Sequence, residues 1–263
     1  MQEEIKVMDV RFNNVSMSEA VEFVFEDNKK GYICTPNPEM LLEARENNKF
    51  KKVLNQSLLN IPDGIGILWA ASQIKNKASK IFAILNLPLL AIWPRKFKKV
   101  LKQRVTGTDL LQEICKKAAT NNTKIFFLGA MHGTAEKAAQ ILEHRYPGLK
   151  IVGTHPGSPA PEERKEIVQI VNETDAEILF VAYGAPKQEI WISETLHKLK
   201  KIRIAIGIGG AFDFVAGNVK RAPKIMQKLG LEWLFRLIQQ PSRILRIYNA
   251  TIKFPIEVIK RLK

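Results

Sequence analysis

Among 263 residues there are two cysteines, Cys34 and Cys115, both inside apolar segments and without CxxC or metal-ligand spacing. Their scarcity excludes a disulfide scaffold or a zinc framework and fits buried free thiols in a reducing compartment. The four histidines, His132, His144, His155 and His197, are scattered, and no Asp-x-Asp pair occurs. A tightly bound divalent metal is therefore not indicated. No Gly-x-Gly-x-x-Gly fingerprint, Walker sequence or Gly-x-Ser-x-Gly elbow is present, which argues against a nicotinamide enzyme, a P-loop nucleotidase and a serine hydrolase. The acidic start, Met1-Gln2-Glu3-Glu4, lacks an apolar h-region; no signal peptide and a cytoplasmic protein are expected. No apolar run reaches the ~20 residues that a spanning helix needs. Internal repeats and low-complexity stretches are also missing.

Acidic residues are absent where basic ones are dense. Residues 75–104 hold nine lysines and arginines and no carboxylate, and residues 220–263 hold eleven against Glu232 and Glu257. The rest of the chain carries 21 basic against 24 acidic residues, so the net charge of +15 sits in two apolar-rich segments. Such segments suit an anionic surface, phospholipid or nucleic acid. Few aromatics stand between the lysines and no recognition motif appears, which disfavours nucleic acid.

The stretch Leu58-Leu59-Asn60-Ile61-Pro62-Asp63-Gly64-Ile65-Gly66-Ile67-Leu68 reads as a buried strand, a tight turn and a helix. Asp63 then lies at a strand's carboxyl end, where it either caps the helix or faces a ligand. The pattern repeats along the chain. A helix over 18–29, capped by Ser16 or Ser18, precedes the strand Gly31-Tyr32-Ile33-Cys34, which breaks at Pro36 and Pro38 into a helix over 38–47. Thr108 or Asp109 caps a helix to about 120; strands at 124–129, 149–153, 177–184 and 202–208 alternate with helices over 134–146, 161–173 and 186–200. This alternation predicts an α/β fold, a Rossmann-like, mostly parallel sheet flanked by helices.

Two stretches depart from that rhythm. Ile81 to Trp93 is apolar but for Asn86 and is flanked by cations; it is either an interfacial membrane element bent at Pro88 or a core hairpin or helix. The tail, helical over 229–238 and 244–259, interleaves Leu231, Trp233, Leu234, Phe235, Ile244, Leu245, Ile247, Tyr248, Ile252 and Phe254 with Arg236, Arg243, Arg246 and Lys253. Basic amphipathic helices of this kind pack on their own domain or lie on lipid. The expected organisation is a core over 1–219, with an insertion at about 74–97, and a membrane-associating helical appendage over 220–263. Exposed apolar tails also make a homo-oligomer plausible.

The predicted strand ends gather Thr35 and Asn37, Asp63 and Gly64, Gly129, the loop from Gly153 to Gly157 with His155, Gly184 with Lys187, Gln188 and Glu189, and Gly207 with Gly209 and Gly210. A glycine-rich rim lets backbone N–H groups and helix dipoles approach phosphate, so a nucleotide or sugar-diphosphate ligand is expected.

Thr35-Pro36-Asn37-Pro38-Glu39, Pro62-Asp63-Gly64-Ile65-Gly66, Arg104-Val105-Thr106-Gly107-Thr108-Asp109-Leu110, Phe127-Leu128-Gly129, Gly184-Ala185-Pro186-Lys187-Gln188-Glu189 and Gly207-Ile208-Gly209-Gly210-Ala211-Phe212-Asp213 follow one another in an order that resembles the WecG/TagA/CpsF glycosyltransferases. The likeness continues through Ala222-Pro223 and Gly230-Leu231-Glu232-Trp233-Leu234-Phe235-Arg236-Leu237 to Pro241, Arg243 and Arg246. The resemblance implies a peripheral enzyme at the cytoplasmic face of a bacterial membrane, with no metal or other cofactor. It would move N-acetylmannosamine, or a related sugar such as its uronic acid, from UDP to a polyprenyl-diphosphate-linked N-acetylglucosamine in surface-polysaccharide synthesis. By the same resemblance Asp63 is the general base, Thr35 and Asn37 hold the sugars, Arg104 faces a diphosphate and Gln188 contacts substrate. Lys187, Glu189 and Asp213 come with the matching motifs, and the tail closes over the site to bring Arg236, Arg243 and Arg246 to the phosphates. The two dozen residues from about Ile74 to Phe97, between the helix after the Asp-Gly turn and the Arg-Val-Thr-Gly motif, depart from the family's pattern and are expected to form an extra membrane-docking element beside the acceptor entrance.

Overall fold

The central strands of the main sheet are short apolar runs stopped by glycine, proline or a helix-capping residue, so each of them ends where a turn begins. The computed structural model describes residues 4–262 apart from 28, 93–95, 98, 99 and 230. Met1 to Glu3, Trp93 at the end of the apolar run, and Gly230 therefore lie outside the described residues. A hairpin, β1 (Glu4–Val7) and β2 (Val10–Asn13), opens the chain and turns through Met8 and Asp9 at φ of 50° and 66°. The main sheet holds β3 (Gly31–Cys34), β4 (Leu59–Asn60), β5 (Lys124–Gly129), β6 (Lys150–His155), β7 (Ile178–Ala182) and β8 (Ile204–Gly207), all parallel, in the order β4-β3-β8-β7-β5-β6. The fold is the α/β class expected.

The connecting helices are α1 (Met17–Phe25), α2 (Pro38–Glu46), α3 (Asn48–Gln56), α4 (Ile65–Lys75), α5 (Lys80–Asn86), α6 (Leu89–Ile92), α7 (Gly107–Asn121), α8 (Thr134–Arg145), α9 (Arg164–Asn172), α10 (Lys187–Thr195) and α11 (Ala211–Val215). They cover both sheet faces, which is why the strands read as continuous apolar runs rather than alternating ones. Ile125 and Phe127 point into one core beneath α1, α7 and α8, whereas Phe126 and Leu128 point into the other with Trp69 and Trp191. Phe127 contacts Phe180 edge-on at 5.9 Å and Phe212 at 4.5 Å; truncating such a buried ring to alanine costs about 3–5 kcal/mol.

Several element ends differ from the sequence expectation. Ser16, not Ser18, caps α1, in a reciprocal box with Glu19. Thr106 rather than Thr108 or Asp109 caps α7, because its hydroxyl accepts from the Asp109 N–H. α3 has no counterpart among the expected elements, since Phe50, Val53 and Leu54 form its whole buried side among lysines and asparagines. β6 extends to His155, which pairs with Leu128 instead of lying in a loop. The last turn of α10 tightens into a 3₁₀ turn at Leu196–Lys198.

The tail continues as α12 (Lys224–Lys228), α13 (Glu232–Gln239), a 3₁₀ turn at Pro241–Arg243, α14 (Ile244–Tyr248), a turn of π-helix over Asn249–Lys253 and α15 (Phe254–Lys260). The widening falls just before Pro255, which has no N–H to offer the preceding turn and whose ring crowds the carbonyl four residues back. Phe254 and Val258 anchor α15 in the core, and α15 packs on α2, α4 and α5. Among the described residues no helix is long and apolar enough to cross a membrane.

Candidate active site

The carboxyl ends of β3 and β4 are stitched to the loop before α7. Ile61 N–H donates to the Cys34 carbonyl at 2.9 Å, Asp63 N–H to Pro36 at 3.0 Å and Val105 N–H to Pro62 at 3.0 Å. Thr35, Asn37, Asp63 and Arg104 are thereby held side by side. Asn37 caps α2, its side-chain oxygen accepting from the Met40 N–H at 3.0 Å, which leaves its amide NH₂ for the cavity.

Asp63 does not cap a helix: Gly64 occupies the cap position of α4, at φ 136°, with no side-chain cap bond. The glycines have a packing reason here. A Cβ at Gly64 would lie 3.1 Å from Pro38 Cδ, and one at Gly66 would lie 3.2 Å from Pro38 Cγ, so α4 starts hard against α2. The Asp63 side chain instead lines a cavity of about 540 Å³. Burial raises its pKa to about 6 from an ordinary 3.8; Arg104 opposes the rise, while Glu232 and Asp109 add to it.

On the β7–β8 side, Gln188 acts as a staple. Its side-chain oxygen accepts from Gly184 N–H and Gly209 N–H, each at 3.0 Å, tying the two glycine turns that line the cavity. This double acceptance fixes the amide orientation, and the NH₂ donates to Glu189 Oε1 at 2.7 Å. Glu189 is buried, and its carboxyl is pushed up to about 7 by burial against the opposing Gln188 bond.

The tail supplies the remaining wall. Arg236 lies with its guanidinium 4.8 Å from the Phe214 ring centre, and its Nη2 would be 3.5 Å from a Cβ on Gly210. Its buried Nε has no hydrogen-bond partner among the described residues. Arg246 Nε donates to both Glu39 oxygens, at 3.0 Å and 2.8 Å, and Arg104 Nη2 meets Glu232 Oε2 at 3.2 Å. Arg221 grips Asp109 through two bonds of 2.6 and 2.8 Å and lies 3.6 Å from Glu232. Burial, and after it the neighbouring arginines, lower the pKa of Arg236 and take that of Arg243 down to about 10. Arg236 and Arg243, crowded with Arg246 along one cavity, form a site that an anion relieves.

A model of the glycosyl transferase WecG/TagA/CpsF family matches residues 5–88 and 86–263. The chain belongs to this family. A Bacillus spizizenii protein named N-acetylglucosaminyldiphosphoundecaprenol N-acetyl-beta-D-mannosaminyltransferase is 29% identical over 235 residues, covering 89% of this chain and 81% of its own length. The chain is thus a glycosyltransferase by family, and the two matched pieces meet inside the insertion.

In this WecG/TagA/CpsF member the cavity gathers Thr35, Asn37, Asp63, Gly64, Arg104, Gln188, Gly209, Gly210, Arg236, Arg243 and Arg246. Other expected site residues are elsewhere. Gly129 is buried at the end of β5, where a Cβ would meet the Ala182 backbone at 2.9 Å. His155 is on the edge strand β6, away from the lining, and Lys187 is exposed on the outside of α10. Glu189 lies behind Gln188, and Asp213 reaches the site electrostatically through Arg236 and Arg243. Glu39, Thr106, Glu232, Leu87 and Leu90 line the cavity without having been singled out. Glu39 and Glu232 do stand inside the motifs quoted above, but their arginine partners are 207 and 128 positions away. Among the described residues no three metal-ligating side chains cluster.

Proposed function

We propose that the chain transfers N-acetylmannosamine from UDP to a polyprenyl-diphosphate-linked N-acetylglucosamine at the cytoplasmic face of a membrane, with inversion and without a metal. The observation that carries this reading is a single cavity shared by the Asp63 carboxylate, with a pKa of about 6, and by Arg104, Arg236, Arg243 and Arg246. The activity named for the Bacillus spizizenii relative suggests the sugar and the acceptor class.

In this scheme the acceptor hydroxyl oxygen attacks the anomeric carbon from the side opposite UDP. The carbon–oxygen bond to the β-phosphate breaks, and the hydroxyl proton passes to Asp63. A base whose pKa is near the operating pH is mostly ionised yet still basic enough to accept, an effect typically worth about 10²- to 10⁴-fold. The departing UDP gains charge, which Arg236 and Arg243 offset with planar donor forks suited to a diphosphate. Thr35 and the Asn37 amide are placed to hold sugar hydroxyls. Residues 220–263 complete the site as an appendage, since Arg236, Arg243 and Arg246 all come from it.

UDP release from a panel of UDP-sugars, assayed with the lipid-linked acceptor, tests the reading. Turnover with UDP-N-acetylmannosamine that Asp63→Ala abolishes while UDP binding persists is the expected result. Release only from the N-acetylmannosaminuronate, glucuronate or glucose donor would reassign the sugar, and release from none would overturn the function.

A further inference from the structure

α5 turns its long apolar side chains away from the protein. Ile81, Phe82, Ile84 and Leu85 are 73, 53, 52 and 69% exposed, whereas Ala83 and Asn86 on the opposite side are buried. The helix has seven residues, too few to span a bilayer. Its underside is firmly placed: it packs on α15, Ser79 caps its first turn through the Phe82 N–H, and Lys96 bonds to the Asn86 side-chain oxygen at 2.9 Å. The outward face is therefore a fixed feature with no partner among the described residues.

Charge identifies what covers it. Lys77 and Lys80 are exposed beside the apolar face, the Lys96 ammonium stands 5.9 Å from the Phe82 ring centre, and no carboxylate occurs in residues 75–99. Apolar side chains ringed by lysines match the boundary between acyl chains and anionic headgroups. A second copy of this chain, itself at +15, would set like charge against like.

The face is also continuous with the site. Leu87 and Leu90, directly after α5, line the cavity that holds Asp63, together with Ile247 and Pro255 of the tail. Tyr248, Ile252 and Ile256 extend the exposed apolar surface on the helices that run into and form α15.

We infer that α5 is a membrane-docking foot: it lies in the interface of an anionic bilayer, and Leu87 and Leu90 carry hydrocarbon contact to the mouth of the cavity. The part played by Leu87 and Leu90 rests on the lipid-linked acceptor proposed above, whereas the docking of α5 does not.

The test uses the full chain and a double variant, Ile81→Ser with Leu85→Ser, whose exposed positions leave the core untouched. Co-sedimentation with phosphatidylglycerol–phosphatidylcholine vesicles should show partitioning reduced by about tenfold or more. Thermal unfolding and turnover on a water-soluble, short-prenyl acceptor should stay at the wild-type level. Vesicle binding equal to wild type overturns the inference. So does a variant that merely turns from oligomer to monomer while keeping its vesicle binding, because the face then belongs to a second copy. If no UDP-sugar is turned over, the vesicle measurement still decides the docking, so the two proposals fail separately.

Discussion

Arg104, on the loop before α7, donates to Glu232 at the start of α13, 128 residues later, at 3.2 Å. The contact ties the tail to the loop that is hydrogen-bonded, through Val105 N–H to the Pro62 carbonyl, to the turn carrying Asp63, and both partners act on the Asp63 pKa: Arg104 lowers it and Glu232 raises it. Log kcat/KM of the wild type should therefore rise with pH to a plateau, with a midpoint of about 6. In Glu232→Gln the anion is lost and Arg104 is freed, so the rising limb should move to lower pH. A limb that stays in place would separate Glu232 from the acidity of the base.

Asp63 should carry a stability cost. Its folded pKa of about 6 exceeds the ordinary 3.8, so the folded state holds the proton longer than the unfolded chain does. Stability consequently falls as pH rises through that window; the cost is absent below it and full above it. Asp63→Asn should stabilise the fold at pH 8 by about 1–3 kcal/mol, raising Tm by about 2–4 °C for each kcal/mol, while removing turnover. Near pH 3.5, below both pKa values, the two proteins should melt alike.

Gln188→Leu leaves the Gly184 and Gly209 N–H groups without their shared acceptor. Loss of about 2–4 kcal/mol in urea unfolding is expected, with a fall in turnover because both turns line the cavity. A variant as stable as wild type would show that water replaces the staple.

Arg236→Lys keeps the charge but loses the planar fork and the contact with Phe214. Donor KM should rise about tenfold, and Arg236→Ala should raise it further. Equal KM values for Lys and wild type would make Arg236 a point charge only.

The sheet was legible because β5, β7 and β8 are apolar runs stopped at Gly129, Gly184 and Gly207, and burial on both faces removes any alternation that would confuse them. What joins them was not: β8 lies between β3 and β7, a pairing between distant segments that no local pattern encodes. α3 escaped notice because three buried residues suffice when the rest of the helix is solvated. At the site, Asp63, Thr35 and Asn37 were recognisable as strand-end residues. His155 and Gly129 satisfy the same local rule, yet β6 and β5 end away from the crevice. Glu189 reads like its neighbour Gln188 in sequence, but on a helix the next residue points about 100° away, here into the core.

A crystal structure with UDP bound tests whether one ligand is shared by the Asp63 carboxylate and the tail's guanidinium groups. The diphosphate is expected in contact with Arg236 and Arg243, inside the cavity lined by Asp63. A UDP molecule bound at the β5–β6 edge, beside Gly129 and His155, would contradict it.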